Sequence, residues 1–221
     1  MIKYTITNDW HIGSAVCQRD KILEMLKNLD TEVLILNGDI IDIDHVKRLT
    51  KKDWKILGAL RKLSKRTRII YLPGNHDYSV YELISELLGL EYMKSFDFEV
   101  CGKRYHIVHG DIFDSFLTKH WLITEIASGL YYWIQRISTR AQMVARNLKR
   151  RSKNFIKCCD KLKKHAEEYA SHHGYDYIVC GHTHHLELLP DQRYINTGCF
   201  TEVEGSFLEI DKKGIHHIRI I

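Results

Sequence analysis

Five short polar clusters, each set directly after an apolar run, constrain this 221-residue chain more than any other feature. The central one is Gly74-Asn75-His76-Asp77, which follows Ile69-Ile70-Tyr71-Leu72 and Pro73. The others are Asp9-Trp10-His11, Gly38-Asp39, His109-Gly110-Asp111 and Gly181-His182-Thr183-His184. A short, continuously apolar run reads as a strand covered on both faces. Strands that alternate with helical segments give an α/β core. Such a core presents its ligand-binding loops at strand ends, where these clusters fall.

The rest of the chain fits that frame. Residues 2–7 read as the first strand, and Ile22, Leu23, Met25, Leu26 and Leu29 form the inner face of a helix near 20–29. Val33-Leu34-Ile35-Leu36 is a strand, and a second helix is expected near 54–63. Phe96, Phe98 and Val100 alternate up to a turn signal at Gly102-Lys103, and Tyr105-His106-Ile107-Val108 returns, which predicts a hairpin. Residues 112–173 carry helical spacing and no proline. Tyr177-Ile178-Val179-Cys180 is a further strand, and the tail to Ile221 reads as short strands and turns. The expected organisation is a core of residues 1–111 and 171–221 with an inserted helical cap at 112–170.

An apolar share of 44% is enough for a real core. No run approaches the ~18 residues that suggest a membrane span, and the N-terminus alternates like a strand instead of showing a secretory apolar region. A cytoplasmic location is the expectation. The six cysteines include no Cys-x-x-Cys pair and read as reduced, mostly buried small residues. The net charge of +5 is uneven: residues 140–164 hold ten Lys or Arg and one acid, whereas the remainder holds 23 basic and 27 acidic residues. Only that segment calls for an anionic partner: substrate phosphates, an acidic membrane surface or nucleic acid.

Together the clusters offer Asp9, His11, Asp39, Asn75, His109, His182 and His184. Oxygen and imidazole donors without thiolate suit manganese, iron, zinc or magnesium. Seven ligands exceed the needs of one ion and suit two ions that share a carboxylate. The remaining nine histidines read as ordinary core or surface residues.

The five motifs, in this order from Asp9 to His184, resemble the calcineurin-like metallophosphoesterase superfamily. Within it, His109-Gly110-Asp111-Ile112-Phe113-Asp114, the helical insertion and Tyr194-Ile195-Asn196-Thr197-Gly198 resemble the UDP-2,3-diacylglucosamine hydrolase branch. The resemblance implies a four-layer α/β/β/α sandwich of two mixed sheets with a helical cap. It implies that Asp9, His11 and His184 hold one divalent ion, that Asp39 bridges, and that Asn75, His109 and His182 complete the second. Manganese is the first choice of metal. His76 then lies beside the substrate phosphate as a catalytic group, Asp77 orients it, and Asp42 stands behind the ligands. The implied reaction is hydrolysis of a phosphodiester or pyrophosphate by metal-activated hydroxide, with a UDP-2,3-diacylglucosamine-like lipid precursor as the leading substrate. Work on such a lipid extends the location to the inner face of a membrane. His76 departs from that branch, which often carries arginine there; histidine is the general superfamily choice. The alternatives are a soluble phosphatase, a cyclic-nucleotide phosphodiesterase or a nuclease on the same scaffold, and a non-catalytic protein-binding scaffold. In the cap, Trp121, Arg140, Arg146, Lys149 and Arg150 are the candidate substrate contacts.

Overall fold

The computed structural model describes residues 1–43, 47, 49–114, 153–189, 192–202 and 204–221. Two mixed sheets face each other. The first contains β1 (Ile2–Thr7), β2 (Thr31–Asn37), β3 (Arg68–Leu72) and β4 (Glu91–Tyr92), all parallel, and continues antiparallel beyond β1. The second contains β5 (Phe96–Val100), β6 (Lys103–Ile107), β7 (Tyr177–Cys180), β8 (Glu187–Leu188) and β9 (Tyr194–Asn196), in the order β5-β6-β7-β9-β8. Here β6, β7 and β9 run parallel. The C-terminal strands β10 (Ser206–Asp211) and β11 (His216–Ile220) return to the first sheet, which has the order β11-β10-β1-β2-β3-β4. Helices α1 (Arg19–Asn28), α2 (Lys51–Leu63) and α3 (Tyr81–Leu88) precede β2, β3 and β4, and α4 (Lys153–His173) precedes β7.

Alternation along the strands builds the layers. Leu34, Leu36, Ile69 and Tyr71 pack with Ile22, Met25 and Leu26 of α1 and Ile56 and Leu60 of α2. Their neighbours Ile35 and Ile70 point the other way, into the space between the sheets, with Ile6, Ile107, Val179 and Ile195. On the far side of the second sheet, Ile178, Cys180 and Tyr194 pack against Leu162, Ala166 and Ala170 of α4. Each central strand is covered on both faces, which is why its sequence is a continuous apolar run. The expected α/β/β/α sandwich is the observed one.

Three local details differ from the sequence reading. Helix α3 was not assigned from sequence; it ends at Gly89 in the left-handed conformation, with φ of 65°. The hairpin turn is centred on Cys101-Gly102, one residue earlier than expected, with φ of 51° and 72°; two positive-φ residues match a primed hairpin turn. Residues 111–113 form one 3₁₀ turn, and the next described element, α4, spans Lys153–His173. The expected core boundary at 170/171 therefore falls within α4. Leu162, Ala166 and Ala170, spaced four apart, face the sheet, and Lys157, Lys161 and Lys164 are exposed. Residues 115–152, with the cap candidates Trp121, Arg140, Arg146, Lys149 and Arg150, lie outside the described residues. Among the described residues, no helix is long and apolar enough to cross a membrane. No disulfide joins any of the six cysteines; Cys17, Cys180 and Cys199 are buried, and Cys101 is exposed.

Candidate metal centre

All five clusters lie just beyond the carboxyl ends of parallel strands: β1, β2 and β3 in one sheet, β6 and β7 in the other. Their backbones are laced together. Asp9 N–H donates to Gly38 O at 3.1 Å, His11 N–H to Asp39 O at 2.9 Å, and Gly181 N–H to His109 O at 2.9 Å. Among the described residues, six non-glycine residues have positive φ, and five of them are Asp9, His11, Asp39, His182 and His184. That conformation costs about 1–2 kcal/mol per residue, although Asp and His tolerate it better than most. Strain gathered in one place is the mark of a site that needs its side chains aimed.

Two glycines permit the close approach. Gly74 and Gly181 have no positive φ. A Cβ on Gly74 would collide with the Asp39 carboxylate and backbone, and one on Gly181 with Asn8 and the Asp9 carboxylate. Their need is space, not turn geometry.

The side chains converge. Donor atoms of Asp9, His11 and His184 lie within 4.8 Å of one another, as do those of His11, Asp39 and His76, and those of Asp39, His109 and His182. Each group can hold a metal ion. Asn75 joins the third, with Oδ1 3.0 Å from His182 Nδ1. All seven expected ligands are thus brought together.

The donor set fits divalent ions. His109 Nδ1–H donates to Asn37 O at 2.9 Å, which leaves the Nε2 lone pair 3.3 Å from Asp39 Oδ2. Thr201 Oγ1 lies 3.1 Å from His184 Nδ1 and donates its own proton to Cys199 Sγ, so it accepts from Nδ1–H. That leaves His184 Nε2 facing Asp9 Oδ1 at 3.0 Å. Lone pairs that face carboxylate oxygens require a cation between them, either a proton or a metal. Buried side-chain atoms without a hydrogen-bond partner include Asp9 Oδ1, His11 Nε2 and His109 Nε2, all in this cluster.

The electrostatics agree. Burial works against charge on Asp9 and Asp39, but the surrounding histidines outweigh it and hold both carboxyls well below the usual range. Burial also disfavours charge on His109 and His184. Asp39 nevertheless raises His109 well above the ordinary imidazole value, and Asp9 raises His184 to about 10. Without a metal the imidazoles must carry protons to offset the carboxylates, the balance expected of a site shaped for cations.

One expected role moves to another residue. Asp77 is fully buried and does not face His76. Its carboxylate accepts from Ile40 N–H at 2.7 Å, Tyr71 O–H at 2.6 Å and Gly74 N–H at 2.7 Å. These bonds tie the loops after β2 and β3 together, and none of them goes to the His76 imidazole. The carboxylate beside His76 is Asp42, with Oδ1 3.7 Å from His76 Nδ1 and Oδ2 3.9 Å from His11 Nδ1.

Several supporting residues were given no role from sequence. Asn8 donates to Gly198 O at 2.7 Å and also to the Asp9 carboxylate. Asn196 donates to Gly181 O at 2.6 Å and Thr183 Oγ1 at 3.1 Å, bracing the loop that carries His182 and His184. Thr201 fixes His184, as above, and Asp114 Oδ2 lies 3.1 Å from His182 Nε2. Only Asn196 and Asp114 fell in motifs singled out from sequence.

Paired carboxylate and imidazole groups at the strand ends of such a sandwich define a metallohydrolase class. The Calcineurin-like phosphoesterase family matches residues 2–186, and the chain belongs to that family. Membership, together with the clustered donors, supports a metal-dependent phosphoesterase. Among solved structures, YfcE, a phosphoesterase from E. coli, is 15% identical with a TM-score of 0.50, over 95% of this chain and 88% of that one. Vps29 from Entamoeba histolytica complexed with zinc is 14% identical with a TM-score of 0.47, over 99% and 97%. Thermotoga maritima protein TM1076 is 20% identical with a TM-score of 0.48, over 100% and 99%. No curated protein matches the chain.

Proposed function

We propose that the chain is a dinuclear-metal phosphoesterase in which Asp9, His11 and His184 hold one ion, Asn75, His109 and His182 the other, and Asp39 serves both. The observation that carries this reading is the place of Asp39 Oδ2, 3.7 Å from His11 Nε2 and 3.3 Å from His109 Nε2. One oxygen faces ligands of both groups. Manganese is the metal proposed, with iron, zinc or magnesium compatible with the same donors. When bound, two such ions bind phosphate oxygens and acidify water.

The chain's own part is to aim and to move a proton. The His76 backbone N–H donates to Asp39 Oδ1 at 2.8 Å, which fixes the backbone beside the ligands. The His76 ring stands edge-on to His11 at 4.7 Å. Burial would lower its pKa, but Asp42 and Asp39 outweigh burial and raise it. That direction favours the protonated imidazole, the form able to give a proton to the leaving oxygen of the phosphate.

The proposed substrate is a lipid pyrophosphate of the UDP-2,3-diacylglucosamine type, cleaved at a membrane surface. Two things support it: the His109–Asp114 and Tyr194–Gly198 motifs, and the apolar and basic composition of the inserted cap. The second reading, a simple phosphodiester, is favoured by His76 itself. A ³¹P NMR assay of the manganese-loaded protein separates them. UMP and a lipid monophosphate released from UDP-2,3-diacylglucosamine support the lipid. Hydrolysis of bis(p-nitrophenyl) phosphate alone supports the second reading. Asp39→Ala should lose more than the about 100-fold that outer-shell changes cost; wild-type turnover in that variant removes the dinuclear reading.

A further inference from the structure

His182 has an oxygen against each ring nitrogen: Asn75 Oδ1 at 3.0 Å from Nδ1 and Asp114 Oδ2 at 3.1 Å from Nε2. A neutral imidazole donates from one nitrogen only, and an ionised carboxylate only accepts. Nε2 must therefore carry the hydrogen, and the Nδ1 lone pair faces Asn75 Oδ1. Two acceptors at that distance call for a cation beside them. The geometry points to Asp114 as a positioning residue: it accepts the His182 Nε2–H and so fixes the tautomer that turns Nδ1 toward the donors of Asp39 and His109. This rests on the dinuclear reading above.

Asp114 is itself held by the fold. Phe113 N–H donates to Gly110 O and Asp114 N–H to Asp111 O, both at 3.0 Å, closing the 3₁₀ turn. The Phe113 side chain is buried in the cluster under α4, its ring 5.5 Å from Tyr169. His165 Nδ1–H of the same helix donates to Phe113 O at 3.2 Å. The outer helix thereby sets the turn, the turn sets Asp114, and Asp114 sets His182. The six residues His109–Asp114 supply a ligand at one end and a positioning carboxylate at the other. His109 and His184 have neutral partners on their Nδ1 atoms, Asn37 O and Thr201 Oγ1. At His182 the partner on the nitrogen away from the cluster is a carboxylate, Asp114.

The test measures ion binding, not turnover. Manganese titrations followed by electron paramagnetic resonance should give two ions for the wild type. Asp114→Ala should weaken one of them about 10–100-fold and leave the other unchanged. Asp114→Asn, whose amide oxygen still accepts from Nε2–H, should recover most of that loss. In the zinc-loaded wild type, long-range ¹H–¹⁵N spectra should show His182 protonated on Nε2. Wild-type affinity at both sites in Asp114→Ala, or His182 protonated on Nδ1, overturns the assignment and leaves the dinuclear reading intact. Equal losses in both variants with a lowered Tm overturn it as well, because they mark a purely structural carboxylate. Fewer than two ions in the wild type removes the dinuclear reading and this inference with it.

Discussion

His76 and Asp77 are adjacent in sequence but do different work. His76 is partly exposed beside the ligands, whereas Asp77 is a buried knot between two loops. Replacing His76 with alanine should lower kcat about 10²–10⁴-fold and leave the Tm unchanged. Asp77→Ala should instead cost about 3 kcal/mol of stability, because it strips Ile40 N–H and Tyr71 O–H of a charged acceptor in a dry site. Thermal melts of the two variants decide the matter, and an Asp77→Ala protein that melts with the wild type would return Asp77 to the catalytic role expected from sequence. Gly74→Ala belongs to the same scale. The new methyl must displace Asp39, so ion binding should fall even if the chain folds; unchanged manganese stoichiometry would show that the loop yields instead. The donors themselves were legible in sequence because each sits in a short motif with its neighbours. Their supports were not, because they are set by contacts such as Asn8 with Gly198, 190 residues away. Asp77 was misread for the same reason: its partner Ile40 lies 37 residues upstream.

At the scale of elements, the apolar runs of β1, β2, β3 and β7 were readable since both faces of each are buried, and α4 was readable as helix within 112–173 but not by the face it packs. A packing face of one leucine and two alanines is narrow, and lysines dominate the composition around it. One buried acid links α2 to the start of α1, beside their apolar packing. Asp53 accepts from Thr50 N–H at 2.7 Å in a capping box and from Arg19 Nε–H at 2.7 Å, and its side chain is inaccessible to water. Burial alone would raise its pKa, but Arg19 and Thr50 outweigh that and lower it. A carboxylate with a depressed folded pKa stabilises the fold above the ordinary aspartate value of about 3.9 and loses that contribution as pH falls below it. Asp53→Asn should therefore cost about 3 kcal/mol near neutral pH. The gap in Tm between wild type and variant should close as pH drops under about 4. A gap that stays constant across that range would mean that shape, not charge, joins the helices.

For the whole molecule, the site lies where the two sheets meet. Asp9, His11, Asp39 and Asn75 follow strands of the first sheet, and His109, His182 and His184 follow strands of the second. Below them the sheets are held by apolar contact, with Ile6, Ile35 and Ile70 against Ile107, Val179 and Ile195. At the strand ends that contact gives way to carboxylates and imidazoles, and the pairs Asp39–His109 and Asp9–His184 attract across the seam. Divalent ions there would cross-link the sheets, so binding energy becomes folding stability that rises with the logarithm of the free ion concentration. At a concentration 100 times Kd the gain is about 2.7 kcal/mol, roughly 5–10 °C in Tm for a chain of this length. Calorimetry with manganese, and again after EDTA, should show that rise and its reversal, and Asp39→Ala, which lacks the carboxylate facing both groups, should show much less of either. If the Tm stays fixed while two ions bind, the seam is closed by apolar packing alone and the ions are held by loops that do not report on the fold. If Asp39→Ala rises as much as the wild type, the ions bind without a shared carboxylate, and the two sheets are joined at this edge by something other than Asp39.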